Sequence, residues 1–199
     1  MKKILITYDS GYGATKKVAG IIEKDFIKNG FDVDLLPVTF HRFDDYDAVI
    51  VGSPIHVGKC SAKITKLLKK NCHLLHKKPF AFFFTCMSVI QNKENQNTSL
   101  FIDPEFNLLG EQAKKLNFME KKHTASFYTD NLKKIINGQN PVGLAFFKGN
   151  LDLSKLSLMH WFIMKLAMFF MPEVREGNFI NQDTVRKWSG NMAKVFSLV

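Results

Sequence analysis

Short apolar runs alternate with amphipathic stretches through the first half of the chain, and the alternation predicts strands and helices in turn. Residues 2–8 read as a buried strand. Ala14 to Asn29 read as a helix, because Val18, Ala19, Ile22 and Phe26 share one face and Gly30 stops it. Phe31 to Leu36 form a second strand. Ala48 to Gly52 form a third, whose unbroken apolar character suits a parallel strand covered on both sides. A helix from about Ser61 to Lys70, a fourth strand over Phe80 to Phe84 and a fifth over Val142 to Phe147 follow. Near the end, Val185, Trp188, Met192 and Val195 make the core face of a last helix. Repeated βα units of this length imply an α/β fold: a doubly wound, five-stranded parallel sheet with helices on both faces, joined right-handedly.

In such sheets ligands bind at the carboxyl ends of the strands, where the strand order reverses. Three loops therefore carry the candidate chemistry: Ser10 to Thr15, Gly52 to Gly58, and Thr85 to Ser88. The first runs Ser10-Gly11-Tyr12-Gly13-Ala14-Thr15 straight into a helix. A helix start leaves backbone N–H groups without partners and is electropositive, so an anion sits there readily. Ser10 and Thr15 add hydroxyls, and the two glycines let the backbone turn and approach a ligand. The loop lacks both G-x-x-x-x-G-K-[ST] and G-x-G-x-x-G, which argues against a nucleotide triphosphatase and an ordinary dinucleotide site.

The 199 residues, 46% of them hydrophobic, suit one globular domain with a sizeable core. Cys60, Cys72 and Cys86 make an odd count with no C-x-x-C pair, which argues against a disulfide framework or a structural zinc. No secretory signal follows the opening lysines, so the expectation is a cytoplasmic protein. With 28 basic and 18 acidic residues the formal charge is +10, a surface that attracts anions. The basic residues are scattered as pairs such as Lys16-Lys17 and Lys133-Lys134, with no nucleic-acid-binding signature, so no nucleic-acid partner is expected.

The strand, the S-x-x-G-x-T loop and the G-S-P-x-x-x-G loop after the third strand together resemble the flavodoxin family, which binds flavin mononucleotide (FMN). The resemblance implies that Ser10, Gly11, Tyr12, Gly13, Ala14 and Thr15 wrap the cofactor phosphate. It also implies that Ser53, Pro54, Ile55, His56, Val57 and Gly58, with Thr85, Cys86, Met87 and Ser88, border the flavin ring. Response-regulator receivers share the topology, and Asp9, Thr85 and Lys148 superficially match them. The third strand ends in Gly52-Ser53, however, with no aspartate to phosphorylate. Two departures from ordinary flavodoxins stand out: this chain is basic where electron-shuttling flavodoxins are typically acidic, and the second loop has no Trp or Tyr to stack on the ring.

The segment Leu156 to Met171 (LSLMHWFIMKLAMFFM) has only Ser157, His160 and Lys165 as polar residues. As a helix it spans about 24 Å, short of the ~20 residues that cross a bilayer. It reads either as a helix buried on the sheet or as a deformable apolar surface for a flat ligand or a membrane interface, with Lys155, Lys165 and Arg175 toward lipid phosphates. FFKGNL followed by HWFIMKLAMFFM and a terminal helix is similar to the flavodoxin-like, quinone-dependent protoporphyrinogen dehydrogenases. That resemblance implies a basic protein peripheral to the inner face of the cell membrane, moving electrons from a hydrophobic anionic substrate through flavin to a quinone. The alternative is a one-electron carrier serving redox partner proteins.

Residues 89–140 and 150–178 are read as insertions in the single domain. In the first, Asp103-Pro104 reads as a helix start, with Phe106, Leu109, Ala113 and Leu116 on one face, and a second short helix ends at Gly138. This insertion either reshapes the pocket or makes a homodimer contact. Cys86 reads as packing, His56 as a flavin or substrate donor or an idle loop residue, and His160 as a satisfied or interfacial histidine. No second ligand at helical spacing supports a metal at His160. No catalytic residue is identifiable.

Overall fold

A computed structural model describes residues 1–39, 43–56, 58–90, 100–106, 118–170 and 175–198. The chain begins with β1 (Lys3–Tyr8), α1 (Ala14–Lys28), β2 (Asp32–Pro37) and β3 (Ala48–His56). The hairpin strand β4 (Lys59–Cys60), α2 (Ala62–Leu75) and β5 (Phe80–Cys86) follow, then β6 (Leu100–Ile102), α3 (Phe118–Lys121), α4 (Ala125–Ile135) and β7 (Gly143–Lys148). The last part holds β8 (Asn150–Leu151), α5 (Leu158–Phe170), β9 (Gly177–Asn178) and α6 (Gln182–Leu198).

The main sheet has the order β2-β1-β3-β5-β7-β6, and every neighbouring pair along it is parallel. The five expected strands are its first five. Two short strands are additional: β6 on the far edge beside β7, and β4 antiparallel to β3. Neither was legible, because two or three residues carry no periodicity to read. From β1 the chain steps one way to β2 and then the other way to β3. The order therefore reverses between β1 and β3, and their carboxyl ends splay to leave a crevice.

Alternating side chains divide the core into two layers. Ile4, Ile6, Ile50, Phe83 and Phe147 face α1 and α6, meeting Val18, Ile22, Phe26, Trp188 and Phe196. Leu5, Val51, Phe82, Phe84 and Phe146 face α2 and α4, meeting Ile64, Leu68, Tyr128 and Leu132. The helix stop at Gly30 is a physical device: at φ 84° it turns the chain left-handed, so that Phe31 N–H reaches Phe26 O at 3.2 Å. The Phe31 ring then lands 5.2 Å from Phe26, the apolar contact that accompanies such caps.

One expected element differs. Asp103 does not open a helix; its carboxylate accepts the N–H of Glu105 at 3.1 Å and of Lys148 at 3.4 Å, and Phe106 N–H returns to Asp103 O in a turn. An Asx turn and a helix cap use the same Asp, and the end of β7 claims the second oxygen. The rest of that expected helix, with Leu109, Ala113 and Leu116, lies outside the described residues. The second short helix is α4, capped by Thr124, whose hydroxyl accepts from Phe127 N–H.

Gly52 is required by close packing. It pairs with Phe83 across β3 and β5, and a Cβ there would lie 2.2 Å from Phe83 Cζ, deep in a layer with no room to yield. We expect Gly52→Ala to lower the stability of the protein by about 1–3 kcal/mol through overpacking, seen as a reduced urea midpoint. A midpoint equal to that of the native protein would show that the Phe83 ring moves freely.

Candidate functional site

The carboxyl ends of β1, β3 and β5 meet at a cavity of about 1190 Å³. Asp9 N–H bonds Gly52 O at 3.1 Å, carrying the β1–β3 ladder one step beyond the strand and fixing where the first loop departs. Ser10 Oγ accepts the N–H of Gly13 at 3.1 Å and of Lys16 at 3.4 Å, which rolls the loop onto the start of α1. Gly13 is the helix cap at φ 90°, the first turn holds no acidic side chain, and the N–H groups of Ala14 and Thr15 meet no acceptor among the described residues. A Cβ on Gly11 would meet nothing within 4 Å, so the backbone there faces open space. Free donors, a helix dipole and no competing carboxylate make a cradle for a dianion.

The second loop is not a loop from Gly52. β3 continues to His56, turns at Gly58 (φ 74°) and returns as β4, with Ile55 opposite Cys60 and His56 opposite Lys59. Ser53 is fully buried and staples this hairpin: its hydroxyl accepts Ser61 N–H at 3.0 Å and the Cys60 thiol at 3.1 Å and donates to Pro54 O. Its side chain is turned into the hairpin and does not line the cavity. Gly13 also shapes the loop without facing the cavity, whereas Pro54, Ile55, His56 and Gly58 do face it. Val57 lies outside the described residues.

From β5, Thr85, Cys86, Met87 and Ser88 all line the cavity. Thr85 and Thr15 are buried and share a hydrogen bond of 2.8 Å, joining the third loop to the first. Burial, reinforced by the charge of Asp103, pushes the Cys86 thiol well up, and burial also raises Cys60. Both are neutral packing groups rather than thiolate nucleophiles.

Leu156 and, on α5, His160, Ile163 and Met164 line the cavity, in the segment that the sequence left open between a buried helix and a surface for a flat ligand; Thr65 and Lys66 on α2 and Phe127 and Leu132 on α4, which carried no legible signal, form further walls. α5 is not buried on the sheet. It rests on a small cluster of its own, where Trp161, Met164 and Met168 pack on Leu151 and Leu153. On its outer side Leu158, Phe162, Leu166 and Phe169 are 81, 67, 61 and 80% exposed. β8 and β9 pair at the base of this excursion and return the chain to α6.

Tyr12 joins three of these elements. Its hydroxyl lies 2.9 Å from His160 Nδ1, which also meets Ser157 Oγ at 2.8 Å, and its ring stands edge-on to both His56 and His160 at about 6 Å. Partial desolvation, followed by the charge of His160, lowers the His56 pKa against an opposing pull from Asp9. Among the described residues no group of His, Cys, Asp and Glu could hold a metal ion.

Residues 5–171 match the model of the flavodoxin domain family. The chain belongs to the flavodoxin family. Solved structures agree at the level of fold. A flavodoxin from the domain Archaea matches with 13% identity and a TM-score of 0.50, over 98% of this chain and 99% of its own. The two-electron reduced flavodoxin of Megasphaera elsdenii matches with 16% identity and a TM-score of 0.50, over 96% and 98%. The flavodiiron protein of Giardia intestinalis matches at 14% identity and TM-score 0.53; all of this chain is covered, but it spans only 37% of that protein's length. No curated protein matches.

In this flavodoxin-family chain the Thr15–Thr85 hydrogen bond ties two site loops together. We expect Thr85→Val to destabilise the unliganded protein by about 1–3 kcal/mol, because the Thr15 hydroxyl stays buried without its partner. Thr15→Val/Thr85→Val should lose less than the two single changes combined. Strict additivity in urea unfolding would show that the two hydroxyls act independently.

Proposed function

We propose that this flavodoxin-family chain is an FMN-dependent oxidoreductase that takes electrons from a hydrophobic anionic substrate of the protoporphyrinogen type and passes them to a quinone. The observation that carries this reading is the cavity. At about 1190 Å³ it exceeds the roughly 300–1,000 Å³ of common ligand pockets, and leaves space beside a flavin for a second large ligand. Its wall includes apolar groups of α5, and lysines 59, 66 and 69 stand among its lining residues. Such a lining suits a flat apolar body bearing carboxylates.

The residues present fit FMN. Ser10, Gly11 and Tyr12 with the free N–H groups of Ala14 and Thr15 would hold the phosphate, Gly13 setting the turn. Pro54, Ile55, His56 and Gly58 on one side and Thr85, Cys86, Met87 and Ser88 on the other would border the ring, Ser53 holding the hairpin from behind. FMN supplies reversible one- or two-electron chemistry when bound.

The outer side of α5 supports a peripheral membrane contact. Its exposed Leu, Met and Phe side chains form one ridge, Lys155, Lys165 and Arg175 lie near it in the sequence, and the formal charge is +10. Apolar insertion and attraction to anionic lipid act together on such a ridge. Among the described residues no helix is long and apolar enough to cross a membrane.

The purified protein titrated with FMN should bind it, and anaerobic photoreduction should proceed in one two-electron step. Two resolved one-electron steps would favour a carrier instead. Ser10→Ala should weaken FMN binding at least tenfold, one hydrogen bond to a charged group being worth about 1.5–3 kcal/mol; unchanged affinity would sink the phosphate-loop assignment. Phe162→Asp with Phe169→Asp should abolish binding to phosphatidylglycerol vesicles and slow porphyrinogen turnover while leaving FMN affinity intact. Vesicle binding that survives both changes would remove the membrane role of α5.

A further inference from the structure

Dehydrogenation releases protons as well as electrons, and a largely apolar cavity needs a group to receive them. The titratable residues lining it can be sorted by chemistry. Cys60 and Cys86 are neutral thiols whose burial opposes ionisation. Tyr128 is likewise pushed up by burial. Asp152 is held at about 2 by its bonds to Lys155 and Ser154, which makes it a poor base. Lysine ammonium groups donate and do not accept. His123 is engaged by Tyr128 at the foot of α4, with a hydroxyl-to-nitrogen distance of 3.2 Å. His56 and His160 remain, and they are the two residues whose rings bracket Tyr12.

We infer that His56, Tyr12 and His160 form the proton-transfer site of this oxidoreductase, with His56 as the acceptor and the Tyr12–His160 pair as its link to α5. The inference rests on the oxidoreductase reading above. FMN, held by the loops named above, would supply the two-electron oxidation when bound. The hydrogen that leaves the substrate as a proton, while the new double bond forms, would go to a ring nitrogen of His56. The Tyr12 ring stands edge-on to His56 while its hydroxyl bonds His160 Nδ1 at 2.9 Å, which ties the acceptor to His160 by contact, and Ser157 Oγ lies 2.8 Å from the same nitrogen.

The arrangement suits the task. His56 is open at the rim of the cavity on a stapled hairpin, and its lowered pKa keeps it unprotonated, hence able to accept, at neutral pH. The groups facing it are Tyr12 and Asp9 from the first loop, Lys59 and Cys60 from β4, Lys63 from α2 and His160 from α5. Asp9 is occupied by Lys63 at 3.6 Å and by the Ser61 hydroxyl, so its charge on His56 is partly offset and His160 opposes it further.

Two measurements test this without relying on turnover. In the unliganded protein, NMR titration should show His56 ionising below an ordinary histidine; His160→Gln should move it upward, and Tyr12→Phe should change the His160 Nδ1 shift. In the FMN-loaded protein, the plot of midpoint potential against pH should change slope where His56 titrates, and His56→Gln should lose that break. Coincident plots for the native protein and His56→Gln, or a His56 titration indifferent to His160→Gln, would overturn the inference. Protoporphyrinogen supplied anaerobically should reduce the flavin at least 100-fold more slowly in His56→Gln. If the native protein ignores protoporphyrinogen while the break persists, the substrate reading falls and the proton site stands.

Discussion

Parallel pairing of β1, β3 and β5 is the constraint on which the rest depends. Tyr8 lies opposite Gly52 and Pro54 opposite Thr85, so three chain segments far apart in sequence end at one level of the sheet. Each strand end then leaves unpaired backbone groups and a short connection, and the reversal of order between β1 and β3 keeps those connections from closing over one another. Gly52 lets β3 and β5 come together against the Phe83 ring, and the Thr15–Thr85 bond holds two of the loops once they arrive. A slip of one residue in either pairing would exchange the two core layers and separate these groups.

Around that frame the molecule divides its apolar surface into two uses. Most of it closes two dense layers rich in phenylalanine, with Phe82, Phe83, Phe84, Phe146 and Phe147 all buried. The remainder is concentrated on α5, which touches a satellite cluster and one edge of the cavity instead of the sheet. Because the β8–β9 pair anchors both ends of this excursion, α5 holds a position over the site without being part of the main core. The same apolar helix thus gives the cavity one wall while leaving its other side exposed.

Much of this was readable from local pattern. The five main strands, α1 and its stop at Gly30, the core face of α6 around Trp188, and the anion-ready turn at Ser10 to Thr15 follow from periodicity and from the chemistry of glycine and hydroxyl side chains. Other features were not readable. Ser53 turned inward to staple a hairpin, β3 ran four residues further than its apolar stretch, Asp103 served a turn and the end of β7, and the short strands β4 and β6 had no periodicity to show. For Leu156 to Phe170 the sequence left a buried helix and an open apolar surface as alternatives with one local signature, and packing on Leu151 and Leu153 decided against covering the sheet.

What the sequence determined by itself is therefore the alternation of elements and the chemical character of the first loop, both set by neighbours within a few positions. Only the tertiary structure decided which side chains meet. Tyr12 and His56 are separated by 44 positions and His56 and His160 by 104, and nothing in the spacing of any one of them points to the others. Their meeting depends on strand register, on the hairpin turn at Gly58 and on where α5 comes to rest. Those are long-range packing outcomes, fixed by burial and hydrogen bonding across the whole fold rather than by local propensity.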